Sequence, residues 1–230
     1  MISNTSDNGL ILAVDGPSGT GKSTTCRALA ARLDAKYIDT GAMYRVATLA
    51  VLRAGVDPAD TEAVIDTTRN LPLEVNDDPA DTNVIFDGEN VTEEIRGPEV
   101  TRNVSAVSAI PEVRENLVAL QRQLTHRAHR AIVEGRDIGT VVLDDAPAKA
   151  FLTASAEVRA RRRYDQDVAA GRESDFDTVL ADVRRRDELD SSRATSPLRP
   201  AEDAVIIDTS KLTRDEVQER LIDLLKESEQ

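Results

Sequence analysis

The stretch Leu10–Thr25, LILAVDGPSGTGKSTT, constrains the chain more than any other. An apolar run ending at Asp15 reads as a strand, the glycine-rich segment after it as a tight turn, and Lys22 onward as a helix continuing to about Leu33. Gly16, Gly21, Lys22 and Ser23 fill the pattern G-x-x-x-x-G-K-[ST] of a P-loop. Such a turn lets backbone N–H groups curl around phosphate oxygens, and the helix behind it adds its unpaired N–H groups and dipole. The phosphate-binding segment therefore runs from Gly16 through Pro17, Ser18, Gly19, Thr20 and Gly21 to Lys22, Ser23 and Thr24. Lys22 is placed to bridge the terminal phosphates of a nucleoside triphosphate. Motif position gives the Mg²⁺-ligating hydroxyl to Ser23, although Thr24 offers a second one.

At 230 residues the chain is long enough for one sizeable α/β domain with a small insert. Low aromatic content predicts a core of Ala, Val, Leu and Ile. The single cysteine, Cys26, leaves no internal disulfide and fits a reducing cytoplasm. It lies one helical turn after Lys22, where a small buried residue is expected rather than a reactive thiol. Residues 1–9 form a polar tail, expected to be disordered and to be neither signal peptide nor anchor. No apolar run reaches the length of a membrane span. The net charge of -13 argues against general nucleic-acid binding, which needs cations to neutralise backbone phosphates. Arginine nonetheless outnumbers lysine, and its planar fork suits phosphate oxygens.

Further strands are expected at Lys36–Asp39, Ala131–Glu134, Ala148–Thr153 and Ala204–Asp208. With Leu10–Asp15 they make a parallel sheet of the βαβ type. Thr40 is expected to cap a helix running to about Arg53, with Tyr44 and Arg45 one turn in; a capped helix with a half-buried Tyr and a solvated Arg is the plainer reading. A short helix is expected over Thr61–Arg69. Leu71–Asn76 and Asn83–Phe86 read as strands of a small antiparallel insert, with a hairpin signal at Asp87-Gly88. Pro111–His129 reads as a helix carrying Arg114 near its start, and His126 and His129 as surface residues. Arg136-Asp137, between Gly135 and Ile138-Gly139, sits where open α/β sheets place ligand groups, or is a surface ion pair. Arg159, Arg162 and Arg163 share one face of a helix starting at Ser155, a pattern that by itself signifies solvation. Ser174 with Asp177 is expected to cap the next helix. Arg186, Asp190 and Arg193 follow at spacings of four and three, as salt-bridged neighbours if that helix continues. Thr213 and Glu216 form a capping box for the last helix.

Four segments in this order, GPSGTGKS, DTGAMYR, EGRDIGTVV and RRRDELDSSR, resemble the bacterial cytidylate kinases from about Leu10 to the C-terminus. The resemblance implies one kinase domain over residues 10–230. Its fold would be a P-loop parallel five-stranded sheet flanked by helices, with a small antiparallel β insert in the monophosphate-binding region and an Arg-rich helical lid. The insert would span about residues 66–105 and the lid about 155–175. The implied reaction transfers the γ-phosphoryl group of ATP, with Mg²⁺, to CMP or dCMP in the cytoplasm, by a monomer whose partners are these nucleotides. By the same comparison Thr40, Tyr44, Arg45, Arg136, Arg186 and Arg193 belong to the acceptor site, and Asp190 accepts from the sugar hydroxyls. Ser105, Arg114 and Asp137 surround the base, while Arg159, Arg162 and Arg163 join Lys22 in neutralising the transferring phosphate. A carboxylate such as Asp137 suits the exocyclic amine of cytosine; the carbonyl of uracil there would cost about 1–3 kcal/mol. A nucleotide-dependent switch is the reading from another class, but the chain lacks the guanine-reading motif N-K-x-D.

Overall fold

A computed structural model describes residues 9–228; the expected disorder of the polar tail falls, but for Gly9, outside the described residues. Five parallel strands form the main sheet in the order β2-β6-β1-β7-β8. They are β1 (Leu10–Asp15), β2 (Lys36–Asp39), β6 (Arg130–Glu134), β7 (Ala148–Thr153) and β8 (Val205–Asp208). Strand β1 pairs with β6 on one side, Leu12 opposite Ile132, and with β7 on the other, Val14 opposite Ala150. Alternation along these strands feeds two cores. Ala13, Ile38, Ala131 and Val133 face a layer that includes α2 (Thr40–Arg53) and α5 (Pro111–Ala128). Leu12, Val14, Ile132, Leu152 and Ile207 face α1 (Lys22–Arg32) and α8 (Arg214–Ser228). Apolar residues on both faces are what a covered parallel sheet requires. Cys26 is fully buried in the second core, as a packing residue.

The insert is smaller in its strands and larger in its helices than the sequence suggested. Its antiparallel ladder holds only β3 (Leu73–Glu74), β4 (Ile85–Phe86) and β5 (Glu89–Asn90). Asp87 and Gly88, both with positive φ, make the β4–β5 turn. The polar Asn76–Asn83 segment instead forms side-chain-stabilised turns, with Asn76, Asp78 and Asp81 each accepting from a backbone N–H two residues on. After α3 (Thr61–Thr68) and this ladder comes an unanticipated helix, α4 (Pro98–Val107). Its start signal was legible: Pro98 occupies the first turn, where a missing N–H costs nothing, and Glu99 complements the dipole.

Two expected helix caps shift by one residue. Asp39, not Thr40, caps α2, its carboxylate accepting from Ala42 N at 2.9 Å. Strand and helix abut with no linker, so the last strand residue takes the cap and Thr40 Oγ1 is left to donate to the Glu134 carbonyl at 2.7 Å. Asp175, not Ser174, caps α7 (Phe176–Ser191), accepting from Thr178 N at 2.9 Å. The capping box of α8 forms as expected: Thr213 N donates to Glu216 at 2.7 Å and Glu216 N to Thr213 Oγ1 at 3.3 Å. Helix α6 (Ala156–Ala169) starts from Ser155, whose hydroxyl accepts from Val158 N.

The chain ends of β1 and β6 are stitched together at the sheet's carboxyl edge. Asp15 closes β1 and its two carboxylate oxygens accept the N–H groups of Ile138 and Gly139, each at 2.8 Å. The loop after β6 is thereby fixed against the P-loop. Burial raises the Asp15 pKa to about 6, against the lowering effect of those two hydrogen bonds. An unfolded Asp loses its proton near 3.8, so between about pH 4 and 6 the folded state alone retains it, and stability from this group falls as pH rises. Denaturant unfolding of the wild type and Asp15→Asn at several pH values is therefore expected to show the wild-type advantage shrinking from pH 4 to 6. A pH-independent difference would contradict this.

Candidate active site

The carboxyl edges of β1, β2 and β6 and the N-terminus of α1 converge on one cleft. Gly16, with φ of 144°, passes so close to β7 that a Cβ would run into the Leu152 carbonyl oxygen. Gly19 and Gly21 also have positive φ, at 84° and 89°, so the turn is built on conformations open to glycine. Lys22 is buried and donates from Nζ to the carbonyls of Gly16 and Pro17, at 2.7 and 2.8 Å. Burial, reinforced by Arg136, pulls its pKa down to about 7, although Glu134 and Asp15 act the other way. Ser23 Oγ donates to Glu134 Oε1 at 2.6 Å, which distinguishes it from Thr24. Glu134 is buried at the end of β6, its pKa raised by burial and by Asp39, and its Oε2 has no hydrogen-bond partner.

Across from Lys22 lies a cluster of guanidinium groups. Arg45 donates to the Ile95 carbonyl at 2.8 Å and to Thr101 Oγ1 at 3.1 Å, which anchors α2 to the insert. Burial, with Arg186 and Arg136, lowers its pKa to about 9. Arg186, brought in by α7, is lowered to about 10 by burial and by Arg136, and its Nε is buried with no partner. Arg163 is close enough to depress both further. Asp190, one turn after Arg186, is the nearby carboxylate; it accepts from Arg136 Nε at 3.2 Å and from Ser105 Oγ at 3.4 Å. Burial pushes Asp190 up, but Arg136, Arg193 and Arg186 outweigh this and hold it below the usual carboxylate range. Arg193 follows the end of α7, donates to the Asp190 carbonyl at 3.2 Å and leaves Nη2 buried and unpaired. Several half-buried cations, crowded together and keeping free donors, make a pocket suited to a multiply charged anion.

Next to this cluster Arg114 and Asp137 form a buried ion pair. Arg114 also donates to the Ser108 carbonyl at 3.0 Å, and its guanidinium lies 5.2 Å from the centroid of the Tyr44 ring. Tyr44 is buried and its hydroxyl has no partner; burial raises its pKa to about 12. Tyr44, Ser105, Arg114, Asp137, Asp190 and Arg193 are thus contiguous, from five segments of chain.

The three arginines of α6 do not act as one face. Arg159 is buried, its fork gripped by Asp187 at 2.9 and 2.5 Å, and it reaches the Ser18 carbonyl at 3.2 Å. Arg162 donates to the Thr209 carbonyl at 2.6 Å and its hydroxyl at 3.1 Å, and to the Thr20 carbonyl at 3.4 Å. Arg163 pairs along its own helix with Asp167 at 3.3 Å. Arg162, Thr209, Leu212, Thr24 and Gly21 border a cleft of about 270 Å³ behind the P-loop. Thr209 and Asp187 escaped the sequence reading, because neither sits in a pattern that marks it locally. Asp15, Tyr37 and Glu134 were visible only as strand residues. His126, on α5, and His129, just past its end, are exposed, and among the described residues no group of three metal-ligating side chains comes together. Nor is any helix among them long and apolar enough to cross a membrane.

Comparison with known proteins gives the family. The family model described as cytidylate kinase matches residues 12–227. A protein of Corynebacterium glutamicum named cytidylate kinase is 71% identical over 220 residues, 96% of this chain and 96% of its own length. One of Corynebacterium efficiens with the same name is 70% identical over 222 residues, again 96% of each. Among solved structures, an uncharacterized protein from Eubacterium ventriosum shares the fold, with a TM-score of 0.53 over 95% of this chain and 99% of its own at 11% identity. The chain is a phosphotransferase and belongs to the cytidylate kinase family.

Proposed function

We propose that this protein transfers the γ-phosphoryl group of ATP to CMP or dCMP, giving ADP and CDP or dCDP. The observation that carries this reading is the crowded, partly unpaired cluster of Arg45, Arg136 and Arg186 facing Lys22 across the P-loop. A nucleoside monophosphate relieves the cluster by supplying the missing negative charge. Its phosphate oxygen is already ionised, so attack on ATP needs no strong base; what the protein must supply is alignment and neutralisation of charge.

Each group has a role in that scheme. The backbone from Gly16 to Thr24 cradles the donor phosphates, and Lys22 leaves the carbonyls of Gly16 and Pro17 for the β- and γ-phosphate oxygens. The donor base enters the cleft beside Arg162 and Thr209, its phosphates leading toward Lys22. Ser23 Oγ and the unpaired Glu134 Oε2 are hard oxygen donors of the kind Mg²⁺ prefers, and they fit the cation that accompanies ATP. When bound, Mg²⁺ supplies charge neutralisation at the phosphate oxygens. Arg45, Arg136 and Arg186 hold the acceptor phosphate; Asp190 accepts from the ribose hydroxyls, with Arg193 beside it. Asp137, locked by Arg114, accepts from the cytosine amine, with Ser105 at the base and Tyr44 and Thr40 forming the wall. Helix α6 and its surroundings, residues 155–175, act as the lid: Arg159 and Arg162 close over the P-loop and Arg163 extends toward the acceptor, excluding water from the transferring group.

Steady-state kinetics of point variants test these roles. Arg186→Ala is expected to raise KM for CMP and lower kcat, with KM for ATP little changed; a transition-state arginine can carry on the order of 10³-fold in rate. Asp137→Ala is expected to erode the preference for CMP over UMP, by roughly tenfold or more for the loss of about 1–3 kcal/mol. An unchanged CMP to UMP ratio would remove Asp137 from the base site, and unchanged CMP kinetics in Arg186→Ala would remove the arginine cluster from the acceptor site.

A further inference from the structure

Glu134 is held in an unusual way for a buried carboxylate. It is 3% exposed, and one oxygen, Oε1, accepts two hydrogen bonds: from Ser23 Oγ at 2.6 Å and from the Tyr37 hydroxyl at 2.8 Å. The other oxygen accepts none. Two donors on one oxygen fix the rotation of the carboxylate and leave Oε2 with a single direction to face. Leaving a buried carboxylate oxygen unpaired is costly, so its retention marks a partner outside the protein.

Tyr37 is itself clamped. It lies on β2, the edge strand, and is 2% exposed. The guanidinium of Arg27 sits 4.8 Å from its ring centroid and donates onward to the Asp81 carbonyl at 3.0 Å. Its own N–H donates to the Asp77 carbonyl at 2.9 Å. Ring and backbone are thus pinned from the 76–83 loop of the insert, and the hydroxyl has little freedom. We propose that Tyr37 is a positioning residue: its hydroxyl holds Glu134 Oε1 so that Oε2 is presented to the divalent cation carried by the donor nucleotide. This rests on the reading that Ser23 and Glu134 receive that cation. Residues that orient metal-binding carboxylates typically matter about 10- to 100-fold in metal affinity or activity. A tyrosine that merely satisfied a buried carboxylate would affect stability and leave the metal dependence alone.

Calorimetric titration of the full chain with a non-hydrolysable ATP analogue, in EDTA and across a Mg²⁺ series, separates these possibilities. In the wild type Mg²⁺ is expected to strengthen binding with a defined midpoint. Tyr37→Phe, which keeps the ring and its Arg27 clamp, is expected to raise that midpoint about tenfold or more while affinity in EDTA stays the same. Glu134→Gln is expected to abolish the strengthening. If Glu134→Gln alone shifts the midpoint, the hydroxyl of Tyr37 plays no positioning part and the inference fails. If Glu134→Gln leaves it unchanged, the metal assignment itself is wrong. Arg27→Met loosens the clamp without removing the hydroxyl and gives a second route should Tyr37→Phe not fold: a smaller shift in the same direction supports the inference, and an unmoved midpoint overturns it.

Discussion

Repulsion among half-buried guanidinium groups is the constraint around which this structure is arranged. Arg136 and Arg186 lower the basicity of Arg45, and Arg136 lowers that of Arg186, with Arg163 adding to the field on both and Asp190 as the carboxylate in their midst. Left alone, such a cluster destabilises the fold; it persists because three separate elements, α2, the loop after β6, and α7, are each held by other contacts. Arg45 is anchored to the insert through Ile95 and Thr101, and the loop carrying Arg136 is anchored to β1 through Asp15. A chain of net charge -13 can nonetheless gather cations at one place, because the total charge says nothing of how they are grouped.

The sheet order makes this grouping possible. Placing β6 between β1 and β2 brings Glu134, Asp15 and the P-loop to adjacent strand ends, where the direction of winding changes on either side of β1. Lys22 stands between the P-loop carbonyls and the arginine cluster, with Arg136 lowering its pKa and Glu134 and Asp15 raising it. Arg159 and Arg162 reach the same loop from the opposite side, through the carbonyls of Ser18 and Thr20. One glycine-rich turn is thus the meeting place of the sheet, the arginine cluster and the α6 helix.

Much of this was legible in the sequence because its signals are local. The five strands, the P-loop, the capping box of α8 and the long α5 helix follow from periodicity and turn chemistry within a few residues. The caps of α2 and α7 were misplaced by one residue because Asp39-Thr40 and Ser174-Asp175 each offer two good caps, and only the tertiary partner of Thr40, the Glu134 carbonyl, decides. The insert's strands were overread because Asn76, Asp78 and Asp81 satisfy their neighbours' backbone groups through side chains. Asp15, Tyr37, Glu134, Asp187 and Thr209 were missed as site residues for a different reason. Each acts through a partner distant in sequence, such as Tyr37 with Glu134 or Arg159 with Asp187, and no local pattern announces such a pair.

If the arginine cluster and the Arg114–Asp137 pair together select a cytosine monophosphate as acceptor, turnover depends on the acceptor base. The most direct measurement is ADP release by the wild-type chain with Mg-ATP and each of CMP, dCMP, UMP, dTMP, AMP and GMP in turn. Fast turnover confined mainly to CMP and dCMP is expected. Preference for another monophosphate, or ATP hydrolysis indifferent to the acceptor, would contradict it.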